Sequence, residues 1–344
     1  MAERVTANEV ASLAGVSQSA VSRVFTPGAS ASSKTQDKVR KAAEKLGYRP
    51  NVLARAMVSG KSRMIGLVVA YLENQFYPEA LEKFSKQLQA NGYHVLIFMA
   101  SNEAENIDGV MEEILDYQVD GIIMASVAMS YELTQRCQSA GVPVVLFNRS
   151  QGATNVSSVT SDNVAGGQKI GEFLTAAKHS KIAYIAGWEG ASTQRDREAG
   201  FLAGLEKAGQ ELFARAVGNF HADIAKQAAL ELFDCARKNR PDAVFVANDH
   251  MAIAVMDVLR HELGLSVPND VSVVGFDDVP PASWAAYSLT TVRQRANVMV
   301  EKTIETLLYQ IENPKALPKS VSVECPFITR SSAKIPKGWN NERF

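Results

Sequence analysis

Polar side chains gather at the carboxyl ends of apolar runs along this chain. Tyr71 follows "MIGLVVA", Ser126 follows "GIIMA", and Asn148 with Arg149 follows "VPVVLF". Asn248 and Asp249 follow "DAVFVA", Asp277 and Asp278 follow "DVSVVGF", and Arg197 enters a helical run. Amides and hydroxyls exchange hydrogen bonds, and a guanidinium can donate two parallel bonds to a carboxylate or to neighbouring hydroxyls. This is the chemistry of recognition. Glycoside hydrolysis would need two carboxylates flanking one bond, whereas adjacent aspartates such as Asp277 and Asp278 usually point apart. There is no GxSxG nucleophile elbow and no phosphate loop, and "AGG" at 165–167 is only a weak glycine cluster. An enzyme is not expected, nor is a cofactor.

A second set lies in "VSQSAVSRVF", residues 16–25, where Ser17, Gln18, Ser19, Ser22 and Arg23 fall on one side. Gln18 can offer a paired donor and acceptor to adenine, Ser19 can bond several base edges, and Arg23 can reach guanine or phosphate.

The flanking residues supply the elements that hold both sets. Thr6 with Glu9 makes a capping box, Val10, Leu13 and Ala14 an apolar face, and Gly15 a left-handed helix end. Ser17 caps a second helix, whose Ala20, Val21 and Val24 turn back onto the first. Two short helices joined by a Gly-containing turn predict a helix-turn-helix, with the small polar face of the second in a DNA major groove. A third helix, capped by Thr35 or Ser33, buries Val39, Ala42, Ala43 and Leu46 and closes at Gly47. In residues 48–62, Pro50 stops what precedes, Asn51 caps another helix and Gly60 ends it. That helix is too short to be stable alone in water.

From residue 64 onward, apolar strands alternate with amphipathic helices, which predicts an α/β body of parallel sheets with helices on both faces. The strands are too many for one small sheet, so two doubly wound lobes are expected. Ligands in such sheets bind beyond the carboxyl ends of the strands. The expected divisions are a headpiece over 1–49, a hinge over 50–62, a two-lobed body over 63–334 and a polar tail over 335–344. Crossovers between the lobes are expected near 162 and 290.

At 344 residues, 46% hydrophobic and 21% charged, the chain has the composition of a globular protein of two or three units. No apolar run is long enough to span a membrane, and "MAERVTANEV" carries no secretory segment, so a cytoplasmic location is expected. Cys137, Cys235 and Cys325 lack metal-ligand spacing and read as buried reduced thiols. The five histidines show no metal pattern either. Charge is divided sharply. Residues 1–63 hold eleven Lys/Arg against four acids, a net +7 that leaves −8 for the remainder. A basic head on an acidic body points to nucleic acid.

The segments "TANEVASLAGVSQSAVSRVF", "KVRKAAEKLGYRPNVLARAM", "VANDHMAIAVMDVL" and "DVSVVGFDDV" together resemble the lactose-repressor/galactose-repressor family of bacterial transcription regulators. The resemblance implies a headpiece joined to a periplasmic-binding-protein-like body, binding double-stranded operator DNA and a small effector, often a sugar or purine. By the motif RxxGF, Arg197 matches the arginine that clamps the effector; Asn248 and Asp277 match polar contact positions. Tyr71, Ser126 and Asn148 complete the expected cleft, with Phe76 or Tyr77 and Trp284 as faces for a sugar ring. Asp249 and Asp278 are expected to be structural. Arg149 beside Arg197 is a pointer to an acidic sugar. On the DNA side the expected residues are Thr6, Ser17, Gln18, Ser19, Ser22, Arg23, Asn51, Arg55 and Met57. Family members generally carry leucine where this chain has Met57, and that leucine enters the minor groove from paired hinge helices. Met57 departs from the pattern but is apolar and long enough to act as the wedge. The tail "IPKGWNNERF" has no heptads, which favours a homodimer over a tetramer. A solute-binding receptor would share the body, yet it would need a signal peptide and no basic head.

Overall fold

The computed structural model describes residues 5–26, 29–49, 61–100, 104–127, 131–151 and 156–339, which fall into two units, 1–63 and 64–344. The hinge positions Asn51, Arg55 and Met57 lie outside the described residues.

The first unit contains helices α1 (Ala7–Ala14), α2 (Gln18–Phe25) and α3 (Ser33–Leu46). Helix α1 starts at the capping box: Glu9 N donates to Thr6 Oγ1 at 3.4 Å while Thr6 N donates to Glu9 Oε2 at 2.7 Å. Gly15, at φ 65°, ends it, and Ser17 Oγ opens α2 by accepting from Ala20 N at 3.3 Å. The cap of α3 is Ser32, one residue before the expected Ser33, with its Oγ accepting from Thr35 N at 3.2 Å. Val10, Ala11, Ala14, Val21, Val39, Ala42 and Ala43 form the core. Leu13, expected inside, is 46% exposed; Ala11 takes the inner place. The four alanines let the helices approach more closely than a leucine would allow.

The second unit is built on two parallel sheets. The first contains β1 (Met64–Val69), β2 (His94–Met99), β3 (Gly121–Ala125), β4 (Val144–Phe147), β5 (Ser157–Ser161) and β11 (Ser320–Val323), ordered β11-β5-β4-β3-β1-β2. The second contains β6 (Ile182–Ala186), β7 (Ala214–Val217), β8 (Ala243–Val246) and β9 (Ser272–Val274), ordered β7-β6-β8-β9. Along β1, Ile65, Leu67 and Val69 join one core while Met64 and Val68 join another, so both faces of the strand are covered. The chain leaves the first sheet after β5 and returns through helix α11 (Ala296–Glu312), which packs on β3, β4 and β5. It crosses a third time between β11 and β12 (Phe327–Ile328), where β12 pairs antiparallel with β10 (Thr291–Val292). Two crossings were expected; the third rests on strands of four and two residues, too short to read from periodicity. Among the described residues no helix is long and apolar enough to cross a membrane. Cys137 and Cys325 are buried free thiols, while Cys235 is half-buried.

Two helices of the second lobe, α7 (Asn163–Ala176) and α8 (Ser192–Glu206), cross without side chains between them. A Cβ on Gly167 would stand 2.2 Å from Arg197 O, and one on Gly200 would stand 2.0 Å from Val164 O. Gly167 and Gly200 are therefore a packing device that sets where α8 lies, and with it Arg197. Gly200→Ala is expected to destabilise this unit by about 1–3 kcal/mol or more through overpacking. A urea unfolding curve superimposing on the wild type would contradict that.

Candidate functional site

Ser17, Gln18, Ser19, Ser22 and Arg23 are all exposed on α2, while Val21 is buried and Ala20 and Val24 are half-buried. Ser17 and Ser19 hydroxyls lie 2.9 Å apart, and Thr6 is exposed beside its partner Glu9. The helix therefore presents a polar face that is free to meet a base edge. Its inward residues hold that face rigid.

In the second unit the strand ends converge as the apolar runs require. Ser126, Asn148, Asp277 and Asp278 follow β3, β4 and β9 with φ of 63°, 57°, 125° and 58°. Non-glycine residues in such conformations carry strain, which concentrates at binding and catalytic sites. Strands β1 and β9 also stop short of the apolar runs that contain them, because residues 70–71 and 275–277 already turn into this region.

Arg197 is the hub. It is 2% exposed and projects from the first turns of α8. Its Nε donates to Asn163 Oδ1 at 2.9 Å, Nη1 to Ala247 O at 2.6 Å and Nη2 to Asp277 Oδ1 at 3.2 Å. The guanidinium also lies 3.7 Å from the centroid of the Phe276 ring. Asp277 in turn accepts from Gln294 Nε2 at 2.7 Å and, across the cleft, from Asn74 Nδ2 at 2.8 Å. One carboxylate thus ties Arg197 of the second lobe to a loop of the first.

Its neighbour Asp249 behaves differently. Fully buried, it accepts from Thr291 Oγ1 at 2.6 Å and Val279 N at 3.0 Å. Burial, then the charge of Asp277, pushes its carboxyl up to about 8. Burial also raises Asp277, but Arg197 and the two amides oppose that shift. Arg197 and the two amides favour the charged form at Asp277, while burial and the neighbouring carboxylate push Asp249 toward its neutral form. Asp278 is structural: it accepts from Arg293 Nε and Arg330 Nη2, each at 2.6 Å.

The lobes are joined a second time at Arg149, whose Nη1 donates to Thr193 Oγ1 and whose Nη2 donates to Ser126 Oγ at 2.9 Å. Ser150 N adds a bond to Ser192 Oγ at 2.9 Å. Asn148 Nδ2 donates to Tyr77 OH at 3.1 Å, and Asn248 Oδ1 caps helix α10 (Asp249–Asp257) through Met251 N at 3.0 Å. Several atoms here are buried without a hydrogen-bond partner in the protein: Asn148 Oδ1, Arg149 Nε and Asn248 Nδ2. Buried polar atoms are nearly always paired, so an orphaned group of them marks a place where something else bonds.

The expected aromatic faces divide. Tyr71 and Tyr77 meet edge to face with centroids 5.2 Å apart, and Phe76 stacks on Phe147 at 5.8 Å. Trp284 is 55% exposed on the turn after β9 and makes none of the bonds that join the cluster. Asn74, Gln294, Asn163 and Thr193 belong to the network without having been anticipated. Asn74 and Gln294 sit in loops with no motif, and only the tertiary structure brings them to Asp277. A cavity of about 290 Å³ adjoins the cluster through Phe76, Asp277 and Gln294.

Comparison with known proteins bears on both parts of the chain. Residues 6–51 match the family described as bacterial regulatory proteins, lacI family, and residues 172–333 match the periplasmic binding protein-like domain. The transcriptional regulator DegA of Bacillus subtilis is 30% identical over 296 residues, 85% of this chain and 87% of that protein. This chain belongs to the lacI family. In keeping with that membership, a lac repressor dimer solved on operator with the anti-inducer ONPF superposes with a TM-score of 0.86 at 26% identity, covering 96% of this chain and 99% of that one. A complex of the transcriptional regulator CelR with cellobiose is 30% identical with a TM-score of 0.72, covering 96% of this chain and 100% of that one. This lacI-family chain is a DNA-binding transcriptional regulator and not an enzyme.

Proposed function

We propose that this protein is a cytoplasmic homodimeric repressor whose operator affinity is set by a small polar effector, a sugar or sugar derivative, held between the lobes of the second unit. The orphaned buried atoms of Asn148, Arg149 and Asn248 carry this reading, because they lie at the ends of β4 and β8 in two lobes that the Asn74–Asp277 and Arg149–Thr193 bonds already bridge. Tyr71, Phe76 and Ser126 complete the seat. The sugar class draws support from the CelR complex with cellobiose. The dimer draws support from the lac repressor dimer and from Ile97 and Met99, exposed on the outer strand β2. A two-fold protein matches a nearly palindromic operator.

Gln18 and Ser19 read bases while Ser17, Ser22 and Arg23 position α2; Thr6, Asn51 and Arg55 serve the backbone contacts and their helices. Operator selection with Gln18→Ala is expected to relax one base pair, at a loss of about 1–3 kcal/mol. Recovery of the wild-type motif would remove Gln18 from the reading set. Met57 wedges the central base step, so Met57→Ser should lose operator affinity and keep the effector's, and circular dichroism should show helix gained on adding operator. Full operator affinity in Met57→Ser would defeat the wedge. A thermal-shift screen against sugars, sugar acids and nucleobases tests the effector seat itself, since a ligand that prefers the native state raises its melting temperature.

A further inference from the structure

Arg149 is only 5% exposed, yet among the described residues no carboxylate pairs with it. Its bonds go to two neutral hydroxyls, Thr193 Oγ1 and Ser126 Oγ, and its Nε has no partner. The Phe220 ring lies 5.7 Å from the guanidinium. Arg197 is different, because Asp277 already neutralises it. Asp249 is bonded instead to Thr291 Oγ1 and Val279 N, and Asp278 to Arg293 and Arg330. Arg149 is therefore a buried cation whose own bonds reach no carboxylate, whereas Arg197 has one. A buried cation without a counter-ion is strongly unfavourable, and a ligand that brings the missing anion relieves it.

Building on the cleft reading above, we propose that the effector carries one anionic group, a carboxylate, and that Arg149 receives it. The uncharged donors and acceptors around it, Asn148 Oδ1 and Asn248 Nδ2, then meet hydroxyls. This describes a sugar acid: one carboxylate on a polyhydroxylated body. A phosphate ester shares the anionic oxygens but brings close to two charges at neutral pH, more than the single Arg149 guanidinium matches.

The test uses the full chain and matched probes at constant ionic strength: glucose, gluconate and glucuronate, galactose and galacturonate, and glucose 6-phosphate. Melting temperature is read for the wild type, Arg149→Met, Arg149→Lys and Arg197→Lys, each of which reports its own folding by melting. At least one acid should raise the wild-type melting temperature where its neutral counterpart does not. That shift should vanish in Arg149→Met and survive, reduced, in Arg149→Lys, which keeps the charge but not the fork. A neutral sugar that stabilises as well as its acid, with an effect lost in Arg197→Lys but kept in Arg149→Met, overturns the charge assignment and leaves the cleft reading standing. Acid shifts that survive in both Arg149→Met and Arg197→Lys place the binding elsewhere and overturn both. A larger shift with glucose 6-phosphate than with any carboxylate, or no shift with any acid, also overturns the proposal.

Discussion

Arg197→Ala is expected to abolish the effector response and, at the same time, to destabilise the second unit by about 3–5 kcal/mol. Both effects have one cause. The guanidinium neutralises Asp277 in a place where each is nearly inaccessible, so its removal leaves a buried carboxylate with only amide donors. The Ala247 carbonyl and Asn163 Oδ1 lose their donor as well. A single substitution therefore cannot separate recognition from folding at this position. Arg197→Ala combined with Asp277→Asn does separate them, because the second change removes the stranded charge. Denaturant unfolding should show the double variant more stable than Arg197→Ala alone, with the effector response still absent. Additive losses in the two single variants would show that the pair does not interact.

The second large effect concerns pH. Asp249 has its folded value raised to about 8 from an ordinary value near 3.8. Between those limits the folded protein holds a proton that the unfolded chain has released. Stability from this group is therefore fully present below pH 3.8 and is lost as pH rises through 8, with a slope of up to ~1.4 kcal/mol per pH unit. Asp249→Asn keeps an acceptor oxygen for Val279 N, lets its NH2 donate to the Thr291 hydroxyl, and cannot ionise. Its unfolding midpoint, compared with the wild type from pH 5 to pH 8, should show the wild type falling relative to the variant. Parallel curves across that range would mean that Asp249 is already ionised in the fold.

Much of this architecture was legible in the chain itself. Apolar runs ending in polar pairs marked strand ends because a parallel strand is buried on both faces until it reaches the ligand side. Capping chemistry fixed α1 and α2 almost to the residue, since Thr6, Glu9, Gly15 and Ser17 each satisfy a specific backbone group. The short polar strand β5, "SSVTS", was invisible, because it lacks the apolar signature and is recognisable only by its pairing with β4 and β11. Arg197, Asn248 and Asp277 could be named through the family pattern, whereas the charge state of the cleft could not. That Arg149 stands without a carboxylate and Asp249 is pushed toward its neutral form depends on distances between residues far apart in sequence. Asn74 reaches Asp277 for the same reason, across some two hundred positions that no local signal spans.

The most direct measurement of the whole account is the reciprocal linkage between the two binding events. Operator affinity should be titrated with and without saturating effector from the thermal-shift screen, and effector affinity with and without operator, at one salt concentration and pH. Each ligand should change the other's dissociation constant by the same factor, about 5–150-fold, and Arg197→Lys should bring both factors towards one. An effector that binds the wild type identically whether or not operator is present would contradict it.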